Sequence, residues 1–124
     1  MPAKFKDLVL DANDHHALAD FYCAALGYRR KDEVEPPTDA PDGWVRPAEW
    51  PVPIVDPTGA APLIWVQPVP EPKTAKNRLH IDVFGNLDEL LALGATLLRK
   101  RDDEIEWDVL ADPEGNEFCV FAPR

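Results

Sequence analysis

The chain contains an internal repeat of one supersecondary unit. Residues 4–28 show an alternating strand pattern and then a helix that ends at Leu-Gly, and residues 77–96 show the same order. A pattern that recurs in this way predicts two copies of one fold module. Because 124 residues suffice for one domain and its core, we expect the two copies to be halves of a single domain.

Each copy is predicted to run strand, helix and three strands. The first-copy strands are expected at 5–12, 28–33, 44–56 and 63–67. The third of these joins 44–50 to 52–56 and is interrupted by Pro47 and Pro51. The helix of the first copy should begin after Asn13 or Asp14 as its N-cap and end at Leu26, since Gly27 favours a helix end. The second-copy helix is expected at 87–93, and its strands at 78–84, 96–101, 105–111 and 117–121.

Connecting segments are marked by proline, glycine and acidic residues. The turn sequence at 112–116, Asp-Pro-Glu-Gly-Asn, predicts a hairpin between the last two strands. The stretch 34–43 is predicted to be a surface loop. A single domain over 1–124 therefore comprises module one at 4–67, a proline-rich linker at 68–76 and module two at 77–122.

Composition and charge exclude several classes of protein. Apolar residues make up 45% of the chain and charged residues 29%, which is typical of a globular domain, and no apolar run is long enough for a bilayer. The N-terminus lacks a signal-peptide core, so we expect a cytoplasmic protein. A net charge of -10 disfavours nucleic acid as a partner and is compatible with a cationic small molecule. Cys23 and Cys119 are far apart in sequence and are expected to be free thiols.

Four segments carry a family resemblance that spans nearly the whole chain. They are LVLDANDHHALADFYCAALGY, QPVPEPKTAKNRLHIDV, LGATLL and VLADPEGNEFCVF. In these segments the chain resembles the vicinal oxygen chelate superfamily, which contains glyoxalase I, extradiol dioxygenases and bleomycin-resistance proteins. More narrowly, it resembles the glyoxalase-like branch of that superfamily. The resemblance implies an α+β fold in which two βαβββ modules form a cupped mixed sheet.

The resemblance also implies a divalent metal in the cup, such as Zn, Ni, Mn or Fe, although the sequence itself fixes no cofactor. Carried over by position, the metal ligands would be Asp7, His80 and Cys119, with a fourth near Trp65 or Gln67. The strand pleat is consistent with this, because Asp7, His80 and Cys119 each alternate with apolar neighbours. A thiolate in place of the usual glutamate favours softer ions such as zinc.

His80 is the candidate catalytic residue, since an imidazole can bind a metal or move a proton near neutral pH. The alternative for His80 is a structural role in which it is hydrogen-bonded to a neighbouring residue. The alternative for Cys119 is that it packs in the core as a small buried hydrophobic residue. His15 and His16 are expected on the solvated surface. The basic and amide stretch with Gln67, Lys73, Lys76, Asn77 and Arg78 can bind a carboxylate or phosphate. Alternatively, one of its cations forms a salt bridge with Asp82 or Glu71.

The chain has four tryptophans, Trp44, Trp50, Trp65 and Trp107. Those that face the cup can stack on a planar or cationic ligand, although core packing or a dimer contact explains them equally well. The predicted ligand-binding set is therefore Asp7, Trp65, Gln67, Lys73, Lys76, Arg78 and Trp107.

Two functions remain open. The first is a glyoxalase-like protein that binds a small molecule in the cup without the full metal-ligand set. The second is a divalent-metal-dependent lyase or isomerase of the glyoxalase type. The resemblance also implies a homodimer, although a single chain with two modules can close its own cup.

Overall fold

The computed structural model describes residues 2–124, which form one compact unit ending at Pro70 and a second unit from Glu71 to Arg124. The first unit contains β1 Leu8–Ala12, α1 His15–Leu26, β2 Arg29–Arg30, α2 Lys31–Val34, β3 Val52–Val55 and β4 Ile64–Pro68. The second unit contains β5 Asp82–Phe84, α3 Leu87–Ala92, β6 Thr96–Arg99, β7 Asp108–Ala111 and β8 Glu117–Phe121. We call the two units the first and second modules.

Both modules have the same sheet topology. Their four-stranded sheets have the orders β1-β4-β3-β2 and β5-β8-β7-β6. In each sheet the first strand pairs in parallel with the last, and the remaining pairs are antiparallel. Two mixed sheets that each carry a helix confirm the predicted α+β class and the duplication of the module.

Helix α1 has the caps that its sequence predicts. The Asp14 side chain accepts a hydrogen bond from the Ala17 amide at 3.0 Å, which selects Asp14 over Asn13 as the N-cap. Gly27 ends the helix with φ of 71°, a left-handed conformation that glycine adopts without a steric cost. The buried face carries Leu18, Ala19, Phe21 and Tyr22. This face packs against β3 and β4.

Each sheet has a core face and an open face. In the first module Ile64 and Val66 of β4 are buried on the side of α1, so Trp65 and Gln67 lie on the opposite side. In the second module the core face carries Leu110, Phe118 and Val120 together with Leu90 of α3. The open face of the second sheet carries the exposed Asp82 beside the buried Cys119.

Three predicted strands of the first module are shorter than expected or absent, and the one predicted at 5–12 begins only at Leu8. The strand at 28–33 is reduced to Arg29–Arg30 because α2 follows, with Asp32 and Glu33 in the first turn, where acidic side chains favour a helix. The strand at 44–50 is wrong, because the chain turns there, with hydrogen bonds from Trp44 to Pro41 and from Trp50 to Pro47. Prolines in this segment remove donors that a strand would need.

The second module differs from prediction at two strand starts. Strand β5 begins at Asp82 rather than at 78, and the Asn77 amide just before the predicted start donates to the Glu117 side chain. Strand β7 begins at Asp108 rather than at 105. The predicted 112–116 hairpin turn is confirmed, with Asp112 N–H donating to the Asn116 carbonyl at 2.9 Å. Among residues 2–124, no helix has the length and apolar character needed to cross a bilayer.

Asp108 is a buried carboxylate on the core face of the second sheet. It lies opposite Val120, is 2% exposed and accepts hydrogen bonds from the Arg101 backbone at 2.8 Å and the Arg101 guanidinium at 2.8 and 3.2 Å. The bonds from Arg101 hold the pKa of Asp108 below its usual range against the opposing effect of burial. This pair ties the β6–β7 connection to the sheet.

We expect Asp108→Asn to lower the free energy of unfolding by about 2 kcal/mol, because it removes charge-assisted hydrogen bonds at a buried site. Urea unfolding measures the change, and Asp103→Asn, at an exposed position nearby, is the control. Since the folded-state pKa of Asp108 is lowered, its stabilisation is present above the unfolded value of about 3.9 and is lost as pH falls. An equal effect at pH 3 and pH 7 would contradict this account.

Candidate functional site

The second module brings together three side chains with different donor atoms. His80, Asp82 and Cys119 offer a ring nitrogen, a carboxylate oxygen and a sulfur, and these atoms all lie within 4.8 Å of one another. The parallel ladder places Asp82 directly beside Cys119, with the Cys119 amide bonded to the Ile81 carbonyl at 3.0 Å. His80 precedes Asp82 by two residues, so it lies on the same side of the chain.

The three side chains differ in exposure and charge. His80 and Asp82 have side chains that are 44% and 57% exposed and approach to 3.4 Å between Nε2 and Oδ1. Cys119 is buried. Burial raises the pKa of the Cys119 thiol, and the charge of Asp82 and a hydrogen bond with it raise the pKa further, while Lys76 lowers it. Without a metal, this sulfur is therefore a protonated thiol near neutral pH.

Two of the predicted metal ligands, His80 and Cys119, are thus brought together in one module. Asp82 is the member that the sequence analysis did not include as a ligand, although its alternation with His80 was visible. The third predicted ligand, Asp7, belongs to the first module, and its convergence with His80 stays a prediction. Cys119 and Cys23 are both free thiols, as expected.

The connector residues are mostly engaged inside the second module. Lys73 forms an ion pair with Glu117 at 3.1 Å, an acidic partner that the sequence analysis did not name. Burial acts to raise the pKa of Glu117, but hydrogen bonds from the Asn77 amide and Lys73 bring it below its usual range. Lys76 donates weakly to the Asn77 carbonyl at 3.4 Å, and Arg78 is exposed. Trp107 packs on Phe121 with ring centroids 5.6 Å apart.

In the first module, Trp65 is the centre of a second cluster. Its indole Nε1 donates to the Asp7 carboxylate at 3.0 Å. Lys6 and Arg46 lie 6.0 and 5.9 Å from the centre of the Trp65 ring, and Arg46 also lies 5.4 Å from that of Trp44. Bonding to Lys6 is the main cause that lowers the pKa of Asp7, with a smaller contribution from Trp65 and an opposing one from burial. Gln67 is exposed on the same strand as Trp65.

Arg46 is held by Asp32 in a two-pronged ion pair. Its Nε and Nη2 atoms donate to the two carboxylate oxygens at 2.6 and 2.9 Å, and both side chains are mostly shielded. This bond lowers the pKa of Asp32 and raises that of Arg46. Such fork-like geometry fixes the guanidinium plane, so Arg46 stays over the tryptophan rings.

A cleft of about 330 Å³ lies beside this pair, at the edge formed by β2 and β3. It is lined by His16, Arg30, Asp32, Glu33, Pro36, Trp44, Val45, Arg46, Val52 and Pro53. His15 and His16 are partly exposed, and each bonds through Nε2 to the Ala48 carbonyl, at 2.8 and 2.7 Å respectively. Sequence analysis missed Asp32 and Arg46 since no periodic pattern joins residues across a proline-rich turn segment.

The comparisons with known proteins give the family. The family described as the glyoxalase-like domain matches residues 7–121, so the chain belongs to that family. No curated protein matches the chain significantly in sequence.

Solved structures of low sequence identity share the fold. A glyoxalase/bleomycin resistance protein/dioxygenase family enzyme from Burkholderia phytofirmans is 15% identical with a TM-score of 0.66, over 95% of this chain and 97% of that chain. The fosfomycin resistance protein FosX from Listeria monocytogenes is 13% identical with a TM-score of 0.64, over 100% and 93%. A glyoxalase-related enzyme from Fulvimarina pelagi is 15% identical with a TM-score of 0.60, over 94% and 86%.

The donor set of the second module fits a divalent metal of intermediate softness. Tetrahedral zinc bonds of about 2.0–2.3 Å would place the donor atoms about 3.5 Å apart, and small rotations of exposed His80 and Asp82 reach this from the observed spacing. Nitrogen, oxygen and sulfur are all zinc ligands. The set shares His80 and Cys119 with the ligands that the resemblance implied and differs from them in Asp82.

We expect Arg46→Lys to loosen the segment 35–51, because lysine cannot make the two-pronged bond to Asp32 or stack on Trp44. Hydrogen exchange of amides in this segment should quicken about tenfold, corresponding to a loss of roughly 1.4 kcal/mol. Arg29→Lys, which alters an exposed pair with Glu33 at 3.8 Å, is the control. Unchanged exchange in Arg46→Lys would show that other contacts hold the segment.

Proposed function

We propose that this glyoxalase-like protein binds a small planar cation at Trp65 and the neighbouring cleft. The observation that carries the proposal is that Trp65 already attracts two side-chain cations, each with its own carboxylate partner. The electron-rich face of an indole attracts positive charge, and a nearby carboxylate adds to this attraction. The overall charge of -10 acts in the same direction.

Lys6 is the cation that a ligand would replace. Its side chain is 83% exposed, so its pair with Asp7 is a surface ion pair of small net stability. A planar cation can take its place over Trp65 and use Asp7 as counter-ion. Arg46 is held more firmly and would form a wall of the site.

The cleft supports a ligand of modest size. Its volume of about 330 Å³ lies near the lower limit of known ligand pockets, which is about 300 Å³. Trp44 gives it an aromatic wall, and Val52 and Pro53 give it an apolar floor. A flat ring system can therefore remove apolar surface from water in the cleft, and Arg46, which lines the cleft and lies over Trp65, joins the cleft to the Trp65 and Asp7 cluster.

The other predicted ligand-binding residues remain proposals. Gln67 lies two positions beyond Trp65 on β4 and can extend the polar part of the site. Lys73, Lys76, Arg78 and Trp107 belong to the second module, and we keep them as a separate proposed site for an anionic group.

Proflavine, a planar aromatic cation, is the test probe, and its fluorescence anisotropy reports binding without relying on protein tryptophan. We expect Trp65→Leu to raise the Kd about tenfold, because the cation–π contribution at a partly shielded ring is about 1–2 kcal/mol. Trp50→Leu, at an exposed tryptophan outside the cleft lining, should leave the Kd unchanged.

A probe of opposite charge tests whether the site prefers a cation. Anthracene carboxylate has a similar flat area with a negative group, and it should bind more weakly than proflavine. Equal effects of Trp65→Leu and Trp50→Leu, or tighter binding of the carboxylate, would overturn the proposal.

A divalent-metal-dependent lyase or isomerase is the second candidate function, and the cluster of His80, Asp82 and Cys119 favours it. The FosX structure contains Mn(II) and a dihydroxypropylphosphonic acid, so a neighbour of this fold holds a metal and a small oxygenated ligand together. A bound ion would stabilise negative charge on substrate oxygens. In this function His80 acts either as a ligand of the ion through a ring nitrogen or as the base that takes a proton from the substrate carbon, and not as both at once.

Proton exchange in D₂O tests this second function. If His80 moves a carbon-bound proton next to a carbonyl, α-hydroxy ketones or the methylglyoxal adduct of glutathione should gain deuterium in the presence of zinc, as read by NMR. His80→Gln should lower the rate at least about 100-fold, and Cys23→Ser should not. If the exchange rate is unchanged in His80→Gln, this histidine takes no part in the reaction.

The homodimer and the cytoplasmic location stay predictions.

A further inference from the structure

We propose that His16 is a proton-sensitive latch, which holds the segment 35–51 against helix α1 while its ring is neutral and releases the segment when the ring is protonated. Neither a ligand at Trp65 nor a metal in the second module is required for this response. The cleft changes as a consequence, since Trp44, Val45 and Arg46 of the segment line it.

One backbone carbonyl joins the segment to α1. Nε2 of His15 and Nε2 of His16 lie 2.8 and 2.7 Å from the Ala48 oxygen. A carbonyl oxygen has two lone pairs and cannot donate, so each ring must carry a proton on Nε2 and the oxygen accepts from both. Ala48 lies in the turn that is closed by the bond from the Trp50 amide to the Pro47 carbonyl. The two histidines therefore tie this turn to the first turn of α1.

Arg30 determines the protonation state of His16. Its Nη1 lies 3.3 Å from Nδ1 of His16. A guanidinium has donors only, so Nδ1 must be the acceptor and must be without a proton. His16 is therefore neutral in this arrangement, and its single ring proton points to Ala48. The Nη2 atom of Arg30 donates to Asp20 at 2.9 Å, which keeps the guanidinium in this position.

A second proton on the His16 ring would oppose these contacts. On Nδ1 it would face the N–H group of Arg30, so that a hydrogen bond is replaced by two donors and two positive charges at 3.3 Å. The first turn of α1 adds to the repulsion, because a helix N-terminus carries a partial positive charge. The half-buried ring relieves it by turning toward water, and this rotation takes Nε2 away from Ala48.

The charged groups around His16 come from α1 itself and from neighbouring parts of the first module. They are His15 and Asp20 on α1, Arg30 on β2, Asp32 and Glu33 on α2, and Arg46 in the segment, while β3 contributes the apolar Val52 and Pro53. Asp20 already neutralises Arg30, and Arg46 is neutralised in its pair on α2. Glu33 is exposed and approaches Arg29 to 3.8 Å. The charge in direct contact with His16 is thus the guanidinium of Arg30.

The attachment of the segment through Arg46 does not respond in the same pH range. Arg46 is bonded to Asp32, and this bond is the main cause that holds the pKa of Asp32 below its usual range, against the effect of burial. Because a lowered carboxyl pKa keeps the group ionised above the unfolded value of about 3.9, this pair is intact from pH 7.5 to pH 5. A histidine turned toward water takes up a proton near pH 6.5, well inside that range.

Two NMR measurements on the full chain test the latch. Long-range ¹H–¹⁵N spectra at pH 7.5 identify the ring nitrogen that carries the proton, and we expect Nε2 in His16. Hydrogen exchange of the Trp50 amide follows the segment, with each rate divided by that of an unstructured peptide at the same pH. From pH 7.5 to pH 5 this corrected rate should rise at least about fivefold, the effect of one net hydrogen bond, and at most about 30-fold, the limit for uptake of one proton. The amides of α3, in the second module, are the internal control.

Three variants separate His16 from its surroundings. His16→Gln keeps a donor for Ala48 but takes up no proton, so its corrected rate should change less than about twofold over the same range. Arg30→Met removes the guanidinium, so a protonated His16 can stay on Ala48 and the acid response should fall to less than about half. His15→Gln, the matched control at the ring bonded to the same carbonyl, should keep the acid response.

A ring proton on Nδ1 of His16 at pH 7.5, or an equal acid response in the wild type and in His16→Gln, would overturn the proposal. So would a response below about twofold in the wild type. If His16→Gln does not fold, the tautomer of the wild type and the response of Arg30→Met decide. Proflavine binding, measured at pH 7.5 where the segment is latched, tests the proposed function separately.

Discussion

The parallel pairing of the first and last strands within each module is the constraint on which both candidate sites depend. It joins β1 to β4 and β5 to β8, segments far apart in sequence. In the second module it sets Asp82 beside Cys119. In the first it sets Val9 beside Trp65, so that Asp7, two residues earlier, reaches the indole nitrogen at 3.0 Å. The same ladder in the two modules therefore creates two chemically different clusters.

The difference between the two faces of each sheet explains why polar residues collect where they do. Leu110 and Val120 are fully buried on the core face, where each contributes about 1.5–3 kcal/mol by leaving water. Asp108 is tolerated on that face because Arg101 satisfies its carboxylate. On the open face, His80 and Asp82 keep access to water and need no such compensation. A residue there can be selected for its chemistry instead of its packing.

The sequence predicts those parts of the fold that are encoded locally. The α1 caps at Asp14 and Gly27 and the 112–116 turn need only neighbouring residues, and they appear as predicted. Asp82 was visible beside His80 in the alternating pattern, but its proximity to Cys119 depends on the ladder register, which periodicity does not encode. The Asp32–Arg46 pair joins a short helix to a proline-rich segment, and nothing in the local pattern connects them.

Competition for carboxylates explains why Asp82 is the acidic member of the second-module cluster. Glu117 lies on the same strand face as Cys119 and would be the nearest alternative along β8. The Asn77 amide donates to one of its oxygens at 3.1 Å and Lys73 to the other at 3.1 Å, so both are committed to the connector that leads into the module. Removing Glu117 from these partners would leave the connector with fewer bonds to the sheet, among them the one from Asn77 to the Asn116 side chain. Asp82 has no comparable structural duty, since the described side chains that it contacts include the exposed His80 and the Cys119 thiol itself, and it is therefore the carboxylate that belongs to this cluster.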